Sequence, residues 1–85
     1  MPPVEQNEGQ PIVDARGFLC PLPVLKARKA LLALAPGAEL VLLATDPMAR
    51  IDIPHFCAQG GHTLVEQLEA DGYLTFRLRR GPHAP

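Results

Sequence analysis

Three stops, Pro36-Gly37, Gly60-Gly61 and Asp71-Gly72, constrain this chain most, because they limit the length of every element between them. Glycine reaches the left-handed conformation that ends a helix without a Cβ clash, and Asp-Gly is a strong signal for a tight hairpin. Ahead of the first stop, Val24, Ala27, Leu31 and Leu34 recur at spacings of three and four, which predicts a helix from about Pro21 to Leu34. Lys26, Lys29 and Ala33 fall on its other side. Ahead of the second stop, Ile53, Phe56 and Cys57 are the inward positions of a shorter helix from about Arg50 to Gln59, where Pro54 limits how early the helix becomes regular. Around the third, Thr63 to Glu69 reads as a strand, and Tyr73 to Arg80 alternates Leu74, Phe76 and Leu78 against Thr75, Arg77 and Arg79.

Two further strands complete the set. Pro11-Ile12-Val13-Asp14 is short, and Leu40-Val41-Leu42-Leu43-Ala44 is an unbroken apolar run, which predicts a central strand covered on both faces or nearly so. The order is βαβαββ. Right-handed crossovers place both helices on one face, and the Asp71-Gly72 turn makes the last two strands antiparallel neighbours. The expected fold is an α/β two-layer sandwich with a mixed four-stranded sheet, in which strand order 1-2-4-3 puts the long alternating last strand inside. The 85 residues hold a single domain at 11–80, with tails at 1–10 and 81–85 whose composition offers little to bury.

Charge and composition argue against several function classes. Eight Lys plus Arg against nine Asp plus Glu leave a net charge of −1, so no basic field is available to hold a nucleic-acid backbone. One Tyr, three Phe and no Trp offer little for base stacking. No stretch reaches the roughly 20 apolar residues of a membrane-spanning helix. The start Met1-Pro2-Pro3-Val4-Glu5 lacks a basic segment followed by an apolar run, so no export signal is read and a reducing, cytoplasmic location is expected for the two cysteines.

Cys20 carries the chemistry. It lies in Gly17-Phe18-Leu19-Cys20-Pro21-Leu22-Pro23, where a glycine turn delivers a thiol to the start of a helix. Proline is tolerated in the first helical turn, so Pro21 and Pro23 fix the dihedrals there while removing two N–H donors. Cys20 is thereby placed at or near the N-cap, at the carboxyl end of the first strand, the edge where α/β sheets usually carry their sites. Partial positive charge at the helix end favours thiolate over thiol, so the expected pKa lies below the free value of ~8.5. A free cysteine is more often a small core hydrophobe, but a core position has no need of two prolines.

The run Gly17-Phe18-Leu19-Cys20-Pro21-Leu22-Pro23-Val24, with Asp46-Pro47, Asp52-Ile53-Pro54 and Gly61-His62, resembles the TusA/SirA family of small sulfur carriers over about Ile12 to Arg80. The resemblance implies that Cys20 accepts sulfane sulfur as a persulfide from a cysteine desulfurase or rhodanese-like donor. It further implies delivery to an acceptor protein, in a relay such as transfer-RNA thiolation or oxidative sulfur metabolism. The family fold agrees with the order read above and is likened to the C-terminal domain of a translation initiation factor. Transfer of this kind is attack by a thiolate on an outer sulfur, and it requires neither metal nor organic cofactor.

Leu22 faces outward in the first turn, where partner choice can be read. Lys26, Arg28 and Lys29 form a basic ridge that suits an acidic partner surface, although such a ridge is equally the solvated side of an amphipathic helix. Cys57, among apolar neighbours, reads as a buried structural thiol, with a resolving cysteine as its alternative. His55 and His62 flank it at spacings that make poor support for a metal site. Asp46 and Asp52 read as turn and helix-cap residues. Two other functions stay open: a thiol-redox module using a Cys20–Cys57 disulfide, and a non-catalytic regulatory or nucleic-acid-binding domain of similar fold.

Overall fold

The elements follow in the expected order: β1 Ile12–Ala15, α1 Leu22–Leu32, β2 Glu39–Ala44, α2 Ala49–Gly60, β3 Thr63–Ala70 and β4 Tyr73–Arg79. They are taken from a computed structural model that describes residues 10–82, so the expected tail residues 1–9 and 83–85 lie outside the described residues. The sheet runs β1-β2-β4-β3, with β1 and β2 parallel and the other two pairings antiparallel. Asp71 and Gly72 both have positive φ, 58° and 86°, as a two-residue turn of type I′ requires.

Register assembles the core. Leu40 pairs with Leu78, Leu42 with Phe76 and Ala44 with Leu74, so one face of the two central strands is a continuous buried apolar surface. Ala15 extends it onto β1 opposite Ala44. Pro23, Ala27 and Leu31 of α1 and Ala49, Ile53 and Cys57 of α2 bury onto this face. The central position of β4 follows from its three large buried side chains, which need strands on both sides to be covered.

The expectation that β2 is covered on both faces is corrected by its burial. Leu40, Leu42 and Ala44 are buried, but Val41 and Leu43 are only half-buried. Both crossovers place their helices on the same side, so among the described residues the other face is screened by neighbouring strands, with Arg77 opposite Val41 and Thr75 opposite Leu43. An unbroken apolar run therefore does not by itself distinguish a doubly covered strand from the middle strand of an open-faced sheet.

The helix ends also differ from the expectation. α1 stops at Leu32, because the Ala33 and Leu34 amides donate to Ala30 and Leu31 three residues back, which tightens the last turn. Leu34 nevertheless packs on the core, as does half-buried Val24. α2 begins at Ala49, where the Ala49, Arg50 and Ile51 amides donate to Asp46, Pro47 and Met48 carbonyls and satisfy the first turn. It ends on Gly61 in the left-handed region at φ 76°. Gly81, expected to open a tail, is buried, and its amide donates to Nδ1 of His62 at 3.1 Å.

Candidate functional site

The segment after β1 is tied down bond by bond. Gly17 takes φ 84°, open to glycine at little cost, and its amide donates to Thr45 Oγ1 at 2.9 Å, while the Phe18 amide donates to the Ala15 carbonyl at 3.2 Å. These bonds hold the loop against the end of the neighbouring parallel strand. Cys20 follows, with its amide donating to Asp46 Oδ2 at 2.6 Å. The other oxygen of Asp46 accepts the Met48 amide at 3.1 Å, a side-chain turn two residues long. One carboxylate, itself 9 % exposed, thus joins the β1–α1 loop to the start of α2.

Pro21 is the N-cap of α1, Pro23 lies at its second position, and Cys20 stands one residue ahead of the cap with its side chain exposed. The thiol donates to Asp52 Oδ2 at 2.8 Å, in the first turn of α2. This contact overturns the expected acidic thiol. The Cys20 pKa is raised, first because Asp52 accepts the S–H, then through desolvation and the negative charges of Asp52 and Asp46. The helix end supplies little to oppose them. Its positive charge resides on unsatisfied amides, yet Pro21 and Pro23 have none and the Leu22 amide is occupied by the Leu19 carbonyl at 2.8 Å. The prolines that fix the chain thus remove two of the donors at the helix start.

Beside the thiol lies an open groove of about 360 Å³ between the two helices, lined by Pro21, Val24, Asp52, His55, Phe56 and Gln59 as well as Cys20. The two segments that meet at Cys20 and the helices that follow them carry exposed apolar side chains. Phe18, Leu19, Leu22, Leu25, Met48 and Ile51 are all exposed, Leu19 at 70 % and Leu22 at 44 %. Of the expected basic ridge, Arg28 and Lys29 are exposed, but Lys26 is half-buried with its ammonium 4.5 Å from the centre of the Phe18 ring. Lys26 therefore braces the Cys20 loop from α1 instead of extending the ridge.

Chain segments 16–21 and 45–52, far apart in sequence, meet because they leave the carboxyl ends of adjacent parallel strands. The family model described as Sulfurtransferase TusA matches residues 12–80. This chain belongs to the TusA family. A sulfur carrier protein TusA of Pseudomonas paraeruginosa is 46 % identical over 69 residues, covering 81 % of this chain and 87 % of that protein. One of Pseudomonas putida is 42 % identical over 69 residues, covering 81 % and 86 %. The crystal structure of a SirA-like protein from Desulfitobacterium hafniense superposes with a TM-score of 0.74 at 30 % identity, covering 82 % of this chain and 96 % of that one.

Within this TusA domain the remaining candidates separate. Cys57 is 2 % exposed on the core side of α2, burial pushes its thiol up to about 11, and both cysteines are free. His55 lines the groove, whereas His62 stacks on Phe56 at 5.3 Å between ring centres and accepts the Gly81 amide. No group of three or more metal-ligating side chains occurs among the described residues, and no helix there is long and apolar enough to cross a membrane. Asp46 does act in a turn, as read from the sequence. Its bond to Cys20, and the whole of the Asp52 contact, were missed. The available signal was that Asp46-Pro47 and Asp52-Ile53-Pro54 sit just past the second parallel strand, on the edge that receives Cys20.

Proposed function

We propose that this chain is a sulfur carrier in which Cys20 alternates between thiol and persulfide. A cysteine desulfurase or rhodanese-like protein loads it, and a second protein with an attacking thiol unloads it, in a relay such as transfer-RNA thiolation or oxidative sulfur metabolism. The observation that carries this reading is one exposed thiol, fixed by its own backbone bond to Asp46, where two segments meet whose side chains Phe18, Leu19 and Leu22 on one and Met48 and Ile51 on the other are exposed and apolar. A partner surface can exclude water over these side chains while its own sulfur reaches Sγ. Leu22, Arg28 and Lys29 contribute docking contacts on α1, and Gly17, Pro21 and Pro23 set the position of the sulfur. Neither metal nor organic cofactor is required, because the sulfur itself is the group transferred.

Incubation with a cysteine desulfurase and free cysteine should add one sulfur to the chain by mass spectrometry. Cys20→Ser should abolish the addition and Cys57→Ala should retain it in the folded protein. Loss of the added sulfur in Cys57→Ala, with retention in Cys20→Ser, would overturn the assignment.

A further inference from the structure

Seven carboxylates lie among the described residues, and four of them are paired with arginine: Asp14 with Arg16, Glu39 with Arg79, Glu66 with Arg77 and Glu69 with Arg50. Asp71 sits in the hairpin turn. The other two, Asp46 and Asp52, both face Cys20 and form no ion pair among the described residues. Asp52 thus accepts the S–H of the one atom that has to become a nucleophile, and the charge of Asp46, held by the Cys20 and Met48 amides, acts on it from behind the backbone. Among the described residues neither carboxylate is in an ion pair. The nearest arginine in sequence, Arg50, is committed to Glu69 through two hydrogen bonds, and the ammonium of Lys26 lies over Phe18. From α1 the groove presents only Pro21 and Val24 to the thiol, and from α2 it presents Asp52, His55, Phe56 and Gln59.

From this arrangement we infer that Asp52 is a lock on the carrier thiol, and that the key is a cationic side chain supplied by the donor protein. The inference rests on the carrier reading and deepens it. With Asp52 accepting its S–H, unloaded Cys20 stays a thiol, a poor nucleophile and a poor target for oxidants. The raised pKa is the same effect expressed as an equilibrium. When the exposed apolar side chains of the two segments are covered by a donor that brings a lysine or arginine to Asp52, the carboxylate exchanges its hydrogen bond for an ion pair. Exclusion of water strengthens that exchange.

The chemistry then balances without a further reagent. Cys20 loses its proton, and the thiolate attacks the outer sulfur of the donor's persulfide. The Sγ–S bond forms as the donor's own S–S bond breaks. The electron pair of the broken bond stays on the donor sulfur, which takes up a proton. A thiol and a persulfide have exchanged one sulfur, with no net oxidation. Asp52 touches the reacting atom, so its charge sets when that atom reacts, and selectivity for a cationic donor follows from the same contact.

Two measurements on the full chain test this. Asp52→Asn keeps the side-chain shape and removes the charge, so iodoacetamide should alkylate Cys20 about tenfold faster at pH 7, with the rate titrating at lower pH than in the wild type. Asp52→Glu, which keeps the charge, should stay slow. Asp52→Ser serves as a second neutral variant if Asp52→Asn does not fold. In the second measurement, loading by inorganic polysulfide should rise in Asp52→Asn while loading by a cysteine desulfurase falls, because the contact with the donor's cation is lost. Alkylation that is unchanged or slower in a folded neutral variant would overturn the lock. Desulfurase loading that rises in parallel with polysulfide loading would overturn the cationic key. If the desulfurase fails to load the wild type at all, the carrier reading and the key both fall, whereas the alkylation titration still decides whether Asp52 restrains the thiol.

Discussion

Replacing Asp46 by Ala should damage both the fold and the sulfur site, and the two losses can be separated. Its carboxylate accepts two backbone amides, from Cys20 at 2.6 Å and from Met48 at 3.1 Å, while itself only 9 % exposed. A hydrogen bond to a charged acceptor contributes about 1.5–3 kcal/mol, but Cys20 and Met48 are exposed enough for water to replace part of each bond, so a total loss of about 2–3 kcal/mol is expected. For a domain of this size that lowers the thermal midpoint by roughly 10–20 °C. Asp46→Asn retains one acceptor oxygen, so it should lose about half as much. Urea unfolding followed by circular dichroism measures the stability. Loading by a cysteine desulfurase, normalised to the folded fraction, should fall roughly tenfold in Asp46→Ala, while alkylation by a small reagent changes less, because only a protein partner needs the sulfur at a fixed place. A stability loss below about 0.5 kcal/mol together with unchanged loading would show that the Cys20 loop is held without Asp46, and the positioning argument would fail.

Two further predictions concern the far end of the sheet. A Cβ built on Gly81 would lie 1.8 Å from the Gly61 carbonyl oxygen, so Gly81→Ala forces the chain after β4 off the α2–β3 turn; it should cost about 1–3 kcal/mol in urea unfolding, and a wild-type midpoint would mean that this contact is dispensable. His62 has a lowered pKa, first through burial and then through the charge of Arg80, and its Nδ1 accepts the Gly81 amide, which leaves the neutral ring's proton on Nε2. The unfolded chain therefore binds a proton at His62 more readily than the folded one. Stability from neutral His62 is complete above its ordinary pKa of about 6.5 and is lost as pH falls through the lowered folded value. His62→Gln should lose less stability than the wild type between neutral pH and pH 5, and parallel losses in urea titrations would refute the linkage.

Local pattern was enough to read most of this architecture. The turn at Asp71-Gly72 fixes an antiparallel pair through backbone preference, the spacing of Ala27 and Leu31 fixes which side of α1 is buried, and the alternation of Leu74, Phe76 and Leu78 fixes the face of β4. Each of these is decided within a few residues, so the sequence alone suffices. Cys20 was legible for the same reason, since the glycine and two prolines that set its backbone are its immediate neighbours.

Its ionisation was not, because electrostatics at a point depends on every charge brought near it, whatever the separation along the chain. Asp46 and Asp52 lie 26 and 32 residues from Cys20, and only the parallel pairing of β1 with β2 brings their loops to one edge. The covering of β2 was hidden for a related reason, since the side on which each crossover packs belongs to the whole chain and not to the strand. What the sequence determined by itself was the order of elements and the place of the exposed sulfur. The tertiary structure decided that this sulfur donates to Asp52, that Asp46 holds its backbone, and that the helix start lacks two donors, which makes it a restrained thiol where the local motif alone suggests an activated thiolate.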